Sequence, residues 1–259
     1  MTLHDVALQQ PLFRVESLTK RYGHRIGCAD VNFELWPGEV LGIVGESGSG
    51  KSTLLGCLAG HLRVEEGRIF YQGRDTLLMP EPERRVLSRT EWAFVHQNPR
   101  DGLRMGVSAG GNVGERLMAI GARNYGDIRE TATDWLGRVE IASERIDDRP
   151  RQFSGGMQQR LQIARNLVTS PRLVFMDEPT GGLDVSVQAR LLDLLRGLVR
   201  DMGLSVIIVT HDLAVARLLA DRLMVMKDGR VIEQGLTDQV LDDPQAAYTQ
   251  LLVSSVLQV

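Results

Sequence analysis

The sequence predicts an α/β protein: a parallel-sheet core, an antiparallel β part near the N-terminus and a helical insert. Three apolar runs, Val40-Leu41-Gly42-Ile43-Val44, Leu173-Val174-Phe175-Met176 and Val206-Ile207-Ile208-Val209, lack polar alternation. Strands covered on both faces of a parallel sheet read this way. A helical pattern follows each run, the order that builds right-handed βαβ units. A length of 259 residues, 43% hydrophobic and 24% charged, suits one large α/β domain or a core carrying an insert, and excludes disorder and fibre.

In chain order, segments 13–16, 31–35 and 68–72 alternate more and read as half-exposed antiparallel strands flanking the core. Residues 51–60 follow the first apolar run as a helix. From Pro99 to Arg151 the chain has Gly-rich turns between short helical segments and no strand-like run. The domain reading is therefore a core of residues 1–98 and 152–259 with a helical subdomain, 99–151, inserted. Val187, Leu191, Leu194, Leu195 and Leu198 stand at helical spacing after the second run, and Asp212 is placed to cap a helix over 213–220. Asp228-Gly229 is a hairpin signal joining 223–227 to 230–234.

The charge balance, 30 basic against 33 acidic side chains or −3 overall, contains no long block of one sign, so a nucleic-acid footprint is not expected. Two cysteines, Cys28 and Cys57, have neither the number nor the spacing of a disulfide framework or a zinc site, and Cys57 lies in an apolar run that reads as buried. The first residues lack an export signal, and the apolar runs fall short of the roughly 18 residues that span a bilayer. The expected location is cytoplasmic, with any membrane role acting through a partner.

Chemistry enters with Gly45-Glu46-Ser47-Gly48-Ser49-Gly50-Lys51-Ser52, directly after an apolar strand and before a helix. The G-x-x-x-x-G-K-S spacing in that context is a phosphate loop, and a chance Gly/Ser turn is the plain alternative. Gly45, Gly48 and Gly50 let backbone N–H groups turn inward on phosphate oxygens, and the helix behind adds its positive end. Ser47 and Thr53 join the expected contacts to a nucleoside triphosphate, Lys51 is positioned for the β- and γ-phosphates and the Ser52 hydroxyl for Mg²⁺. The second apolar run ends in Asp177-Glu178. Asp177 is where a phosphate-loop protein needs a carboxylate for Mg²⁺, and Glu178 is a candidate to orient or deprotonate the attacking water. A solvated carboxylate beside Pro179 is the plain alternative for Glu178.

Phe153-Ser154-Gly155-Gly156-Met157-Gln158-Gln159-Arg160 resembles the signature motif of ATP-binding cassette (ABC) ATPases. Ser154 is placed to cap a helix while Gly155 and Gly156 expose its first N–H groups. An ordinary capped amphipathic helix with a Met157, Leu161, Ala164, Leu167 stripe fits as well, and both hold together. The resemblance implies a phosphate-loop (RecA-like) core, ATP hydrolysis, and a head-to-tail homodimer in which Ser154, Gly155 and Gly156 meet the ATP held by the other subunit. It further implies that Tyr22 stacks on adenine, that Gln97 reaches Mg²⁺ and the attacking water, that Asp184 sits at the subunit contact beside ATP, and that His211 touches the γ-phosphate. Glu178, His211 and Gln97 are then catalytic, and Ser52, Gln97 and Asp177 hold Mg²⁺.

Two departures from the family pattern stand out: Met157 replaces the usual Gln, and Gly181-Gly182 replace Ser-Ala before Leu183-Asp184. Met157, the segment Asp184-Val185-Ser186-Val187-Gln188-Ala189 and the ending Tyr248-Thr249-Gln250-Leu251-Leu252 are similar to the oligopeptide-importer branch. More narrowly, Leu35-Trp36-Pro37-Gly38-Glu39, Asp101-Gly102-Leu103-Arg104 and Val107-Ser108-Ala109-Gly110-Gly111-Asn112 resemble the cassette subunit of the bacterial carbon–phosphorus lyase system. The implied partner is the soluble carbon–phosphorus lyase core complex, with a membrane permease as the alternative. Arg100 and Arg104 would face that partner or be ordinary solvated arginines. Chromosome-organising and mismatch-repair ATPases share the signature, but the span between Ser52 and Leu173 holds no sustained heptads for their coiled-coil arms. A scaffold with vestigial hydrolysis would not need Lys51, Asp177, Glu178 and His211 together.

Overall fold

Alternation at the start of the chain becomes β1 (Phe13–Tyr22) and β2 (Arg25–Leu35), which pair antiparallel from Phe13↔Leu35 to Tyr22↔Arg25. The first apolar run is β3 (Val40–Val44), buried at every position, and it leads through the phosphate loop into helix α1 (Lys51–Leu58). Strands β4 (Glu66–Tyr71) and β5 (Arg74–Asp75) follow. Next come α2 (Glu81–Thr90), β6 (Trp92–Val95), α3 (Pro99–Gly102), α4 (Ala109–Ala119), α5 (Tyr125–Arg138) and α6 (Gly155–Leu167). The chain continues as β7 (Leu173–Asp177), α7 (Val185–Met202), β8 (Ser205–Thr210), α8 (Leu213–Leu219), β9 (Arg222–Lys227), β10 (Arg230–Leu236), α9 (Thr237–Asp242) and α10 (Ala247–Val256). This computed structural model describes residues 10–256. The chain divides into two units, one made of the segment up to Glu81 and the segment from Gly203 onward, the other Pro82–Met202.

The first unit holds an antiparallel sheet in the order β2-β1-β4-β5 and the strands β10-β9-β3-β8. β3 runs parallel to β8, with Val40 opposite Val206 and Val44 opposite Thr210, and parallel to β9 on its other side. Covered on both faces, Ile43, Val44, Ile207, Ile208 and Val209 have no solvent exposure, which is why these runs carry no polar alternation. β9 and β10 form the expected hairpin through Asp228 and Gly229, both at positive φ. Asp212 accepts hydrogen bonds from the Ala214 and Val215 N–H groups and caps α8 as its position implied. Both cysteines are free and buried.

In the second unit β6 and β7 pair parallel, Trp92 opposite Leu173 and Val95 opposite Met176, and the Trp92 indole meets Phe175 edge-on at 5.5 Å. The segment 99–151 is helical, with no strand among its residues. Ser108 caps α4 and Asn124 caps α5. Two elements escape the sequence pattern. β6 is only four residues long, and α2 has no buried residue and so no apolar face to announce it.

Helix α6 buries amides as well as hydrocarbon. Gln162, with no exposure, accepts the His96 N–H at 2.7 Å and donates to the His96 carbonyl at 3.0 Å, as a neighbouring strand would. The substitution Gln162→Leu removes the acceptor of a buried N–H and is expected to destabilise the second unit by about 1–3 kcal/mol. Urea unfolding followed by Trp92 and Trp135 fluorescence in a Trp36→Phe background reads this as a lowered midpoint; an unchanged midpoint contradicts it.

Candidate nucleotide-binding and catalytic site

The first unit carries the phosphate loop, and bare backbone shapes it. A Cβ on Gly45, at φ 147°, would stand 2.2 Å from the Met226 carbonyl oxygen, and one on Gly50, at φ 102°, would stand 2.2 Å from the Gly27 carbonyl oxygen. Only glycine fits such approaches. The loop is also tied by hydrogen bonds: the Gly229 N–H donates to the Ser49 carbonyl at 2.9 Å, and the Ser49 N–H donates to the Glu46 carbonyl at 3.2 Å. Gly50 ends the loop as the N-cap of α1 and carries no side chain to cap it; the positive end of a helix dipole at such a start favours an anion.

Lys51 is 5% exposed, and its ammonium donates to the Gly45 and Glu46 carbonyls, each at 2.7 Å. Ser47 and Gly48 are exposed on the loop, Ser52 is exposed at the start of α1 and Thr53 is half-buried. The Tyr22 ring and the Thr53 methyl both crowd the face of Gly27, where a Cβ would lie 3.1 Å from the ring and 2.7 Å from the methyl. The structure thus brings Tyr22, half exposed, to the start of α1. Lys20 sits 5.0 Å over that ring and pairs with Glu65 at 2.7 Å. His211 is exposed directly beyond the end of β8.

The second unit carries the acidic and signature residues. Asp177 closes β7, and Glu178 follows at φ 41°, a left-handed backbone that costs a non-glycine residue about 1–2 kcal/mol. The turn is held by the Gly181 N–H donating to the Glu178 carbonyl at 2.9 Å. The Gln97 amide nitrogen donates to a Glu178 carboxylate oxygen at 3.1 Å, so two residues expected to act on the same water are in contact. Ser154 accepts the Met157 N–H at 3.3 Å and caps α6. Asp184 accepts from the Val187 N–H at 3.0 Å and the Ser186 hydroxyl at 2.8 Å, and these bonds hold its carboxyl below the usual range.

A cavity of about 340 Å³ gathers Gln97, Gly155, Gly181, Gly182 and Leu183 with Asn98, Pro99 and Gln159. The expected water-handling glutamine and the signature glycine therefore line one hollow. Gln159 and Gln162 belong to the site in a way that the apolar-stripe reading of α6 missed, since both hydrogen-bond the backbone of His96, beside Gln97. Their signal was amides recurring at 158, 159, 162 and 166 along a helix. Burial pushes the His96 imidazole below its ordinary pKa, against the pull of the Asp101 and Asp177 carboxylates.

The loop geometry predicts that Gly50→Ala weakens ATP binding at least tenfold in a titration with a fluorescent ATP analogue, because the methyl group displaces the Gly27 carbonyl. Gly137→Ala, on an open helix face with nothing within 4 Å, serves as the control and leaves affinity unchanged. Equal affinity in the two variants would contradict the assigned cradle.

Comparison with known proteins identifies the family. Residues 28–181 match the ABC transporter family model. The chain is 69% identical over 251 residues, covering 97% of it and 100% of the relative, to the putative phosphonates utilization ATP-binding protein PhnK of Escherichia coli K12. It is 37% identical to the dipeptide transport ATP-binding protein DppF of the same organism, covering 98% of this chain and 79% of the relative. Among solved structures, the dimeric post-hydrolysis state of the ATP-binding cassette MJ0796 bound to ADP and Pi superposes with a TM-score of 0.79 at 31% identity, covering 87% of this chain and 98% of that one. CbiO1 of Clostridium perfringens, part of the ABC transporter complex cbiONQ, gives 0.79 at 28% identity and 96% coverage of both chains. With its phosphate loop, capped signature helix and strand-end carboxylates in these positions, the chain belongs to the ABC transporter family of ATP-binding cassettes.

Proposed function

We propose that this ATP-hydrolysing cassette drives a conformational change in a carbon–phosphorus lyase core complex during phosphonate use. The observation that carries the ATPase reading is the phosphate loop, closed on Gly27 and Met226 with the Lys51 ammonium held on its carbonyls. The partner assignment is supported by the near full-length similarity to the E. coli phosphonates utilization protein and by the segments 101–104 and 107–112. The dimeric cassettes among the solved structures support a homodimer closing on ATP. The peptide-import relatives support a second reading, in which a membrane permease takes the place of the lyase complex. Among the described residues no helix is long and apolar enough to cross a membrane. In both readings we place the chain in the cytoplasm beside its partner, with 99–151 as its helical subdomain.

In this mechanism Lys51 neutralises the β- and γ-phosphates, and N–H groups of the loop and of the first turn of α1 orient them, with Tyr22 under the adenine. Glu178 takes the proton of the attacking water, Gln97 positions both that water and the Glu178 carboxylate, and His211 holds the γ-phosphate. Ser154, Gly155, Gly156 and Asp184 serve the nucleotide of the second subunit. Positioning and charge stabilisation supply most of the rate. The donors fit a hard cation: Ser52 offers a hydroxyl, Asp177 a carboxylate, and Gln97 its amide oxygen, since the amide nitrogen is committed to Glu178. Mg²⁺, when bound, withdraws charge from the phosphate oxygens.

Glu178→Gln is expected to retain ATP binding, lower turnover at least about a hundredfold and accumulate an ATP-bound dimer. Light scattering with and without ATP, beside a phosphate-release assay, checks this, and normal turnover removes the role of Glu178. Deletion of the gene is expected to abolish growth on alkylphosphonates while leaving growth on phosphate intact. Purification with native neighbours separates the partners: elution with soluble metal-dependent enzymes supports the lyase complex, and detergent dependence supports a permease.

A further inference from the structure

The phosphate loop is gripped from below by residues far away in the chain, and one of these contacts comes from a side chain that has no role in the chemistry above. The Glu46 N–H, the second amide of the loop, donates to the Tyr248 hydroxyl at 3.2 Å across 202 residues of sequence. Tyr248 is the second residue of α10. Its ring is half-buried and packs with the Lys227 ammonium 4.7 Å from its centroid. Lys227 ends β9 beside the Asp228-Gly229 turn, the same turn whose Gly229 N–H holds Ser49.

The helix that carries Tyr248 is itself anchored. Glu233, on β10, accepts the Gln245 N–H with one carboxylate oxygen at 2.8 Å and the Ala246 N–H with the other at 3.0 Å. A chain of contacts therefore runs from β10 through Glu233 to the start of α10, through the Tyr248 hydroxyl to Glu46, and so to the Glu46 carbonyl that accepts both Lys51 and the Ser49 N–H. Phosphate affinity depends on loop amides being fixed before the anion arrives, because ordering them on binding subtracts from the binding free energy.

We infer that Tyr248 is a positioning residue for the phosphate loop, and that through it the docked C-terminal helix sets ATP affinity. The inference rests on the ATPase reading and assigns regulation of that same loop: whatever displaces α10 lowers affinity for ATP without touching a group that reacts.

Tyr248→Phe keeps the ring over Lys227 and deletes only the acceptor of the Glu46 N–H. In the full-length protein it is expected to raise the dissociation constant for a fluorescent ATP analogue, and KM for ATP, about three- to tenfold, the size of one hydrogen bond. Turnover at saturating ATP stays within about twofold and the melting temperature without nucleotide is unchanged. Glu233→Gln is expected to weaken ATP binding in the same direction, and the double variant to lose less than the sum of the two single losses, since both act along one path; strict additivity overturns the path. An ATP affinity in Tyr248→Phe equal to that of the parent overturns the inference, as does a loss seen equally in turnover at saturation and in melting temperature. Parent protein that binds no ATP overturns the ATPase reading instead, so the two failures are distinct.

Discussion

Close packing of main chain against main chain around residues 45–50 is the constraint on which the rest depends. At Gly45 and Gly50 a carbonyl oxygen occupies the space that any side chain would need, and the Gly229 N–H closes the loop from its third side. A loop built this way has few alternative conformations, so its amides and the Lys51 ammonium are held in one arrangement. That is the form of pre-organisation which positioning and charge stabilisation require. The same packing explains why β9, β10 and α10, which contribute no reacting group, are integral to the nucleotide end of the first unit.

The second unit reaches comparable order by burying amides. Asn112, wholly unexposed, donates to the carbonyls of Arg104, Val107 and Ser108 and accepts the Arg104 N–H, fixing the turn that leads into α4. Gln162 does the same for His96 at the end of β6. Buried polar side chains that satisfy all their partners specify one arrangement of otherwise irregular backbone. Here Gln162 fixes the backbone of His96, directly before Gln97, so the contact of Gln97 with Glu178 starts from a fixed neighbour.

The two departures from the common family pattern have local explanations. A Cβ on Gly181 would lie 3.2 Å from the Glu178 carbonyl oxygen and 3.3 Å from the Gln97 amide nitrogen, and Gly182 has φ 75°. The pair of glycines thus lets Gln97 lie close over the turn after the strand and pair with Glu178. The Met157 sulfur accepts from the Arg145 guanidinium at 3.4 Å, while Arg145 also stacks on Phe153 at 4.5 Å and pairs with Asp148 at 2.7 Å.

By itself the sequence determined what neighbouring residues decide: strands β3, β7 and β8 from unbroken apolar runs, the α8 cap from Asp212, the β9–β10 turn from Asp228-Gly229, and the phosphate loop from the spacing of Gly45, Gly50 and Lys51. It announced neither β6, whose four residues are too few to show a period, nor α2, which buries nothing. Tertiary structure alone decided which partners meet across long separations. No local pattern encodes that Met226 and Gly27 press on the loop glycines, that Gln162 completes the hydrogen bonding of His96, or that the Tyr248 hydroxyl supports Glu46. Such contacts are set by the order in which strands stack and helices dock, because a carbonyl or an amide finds its partner through space and leaves no spacing in the chain to be read.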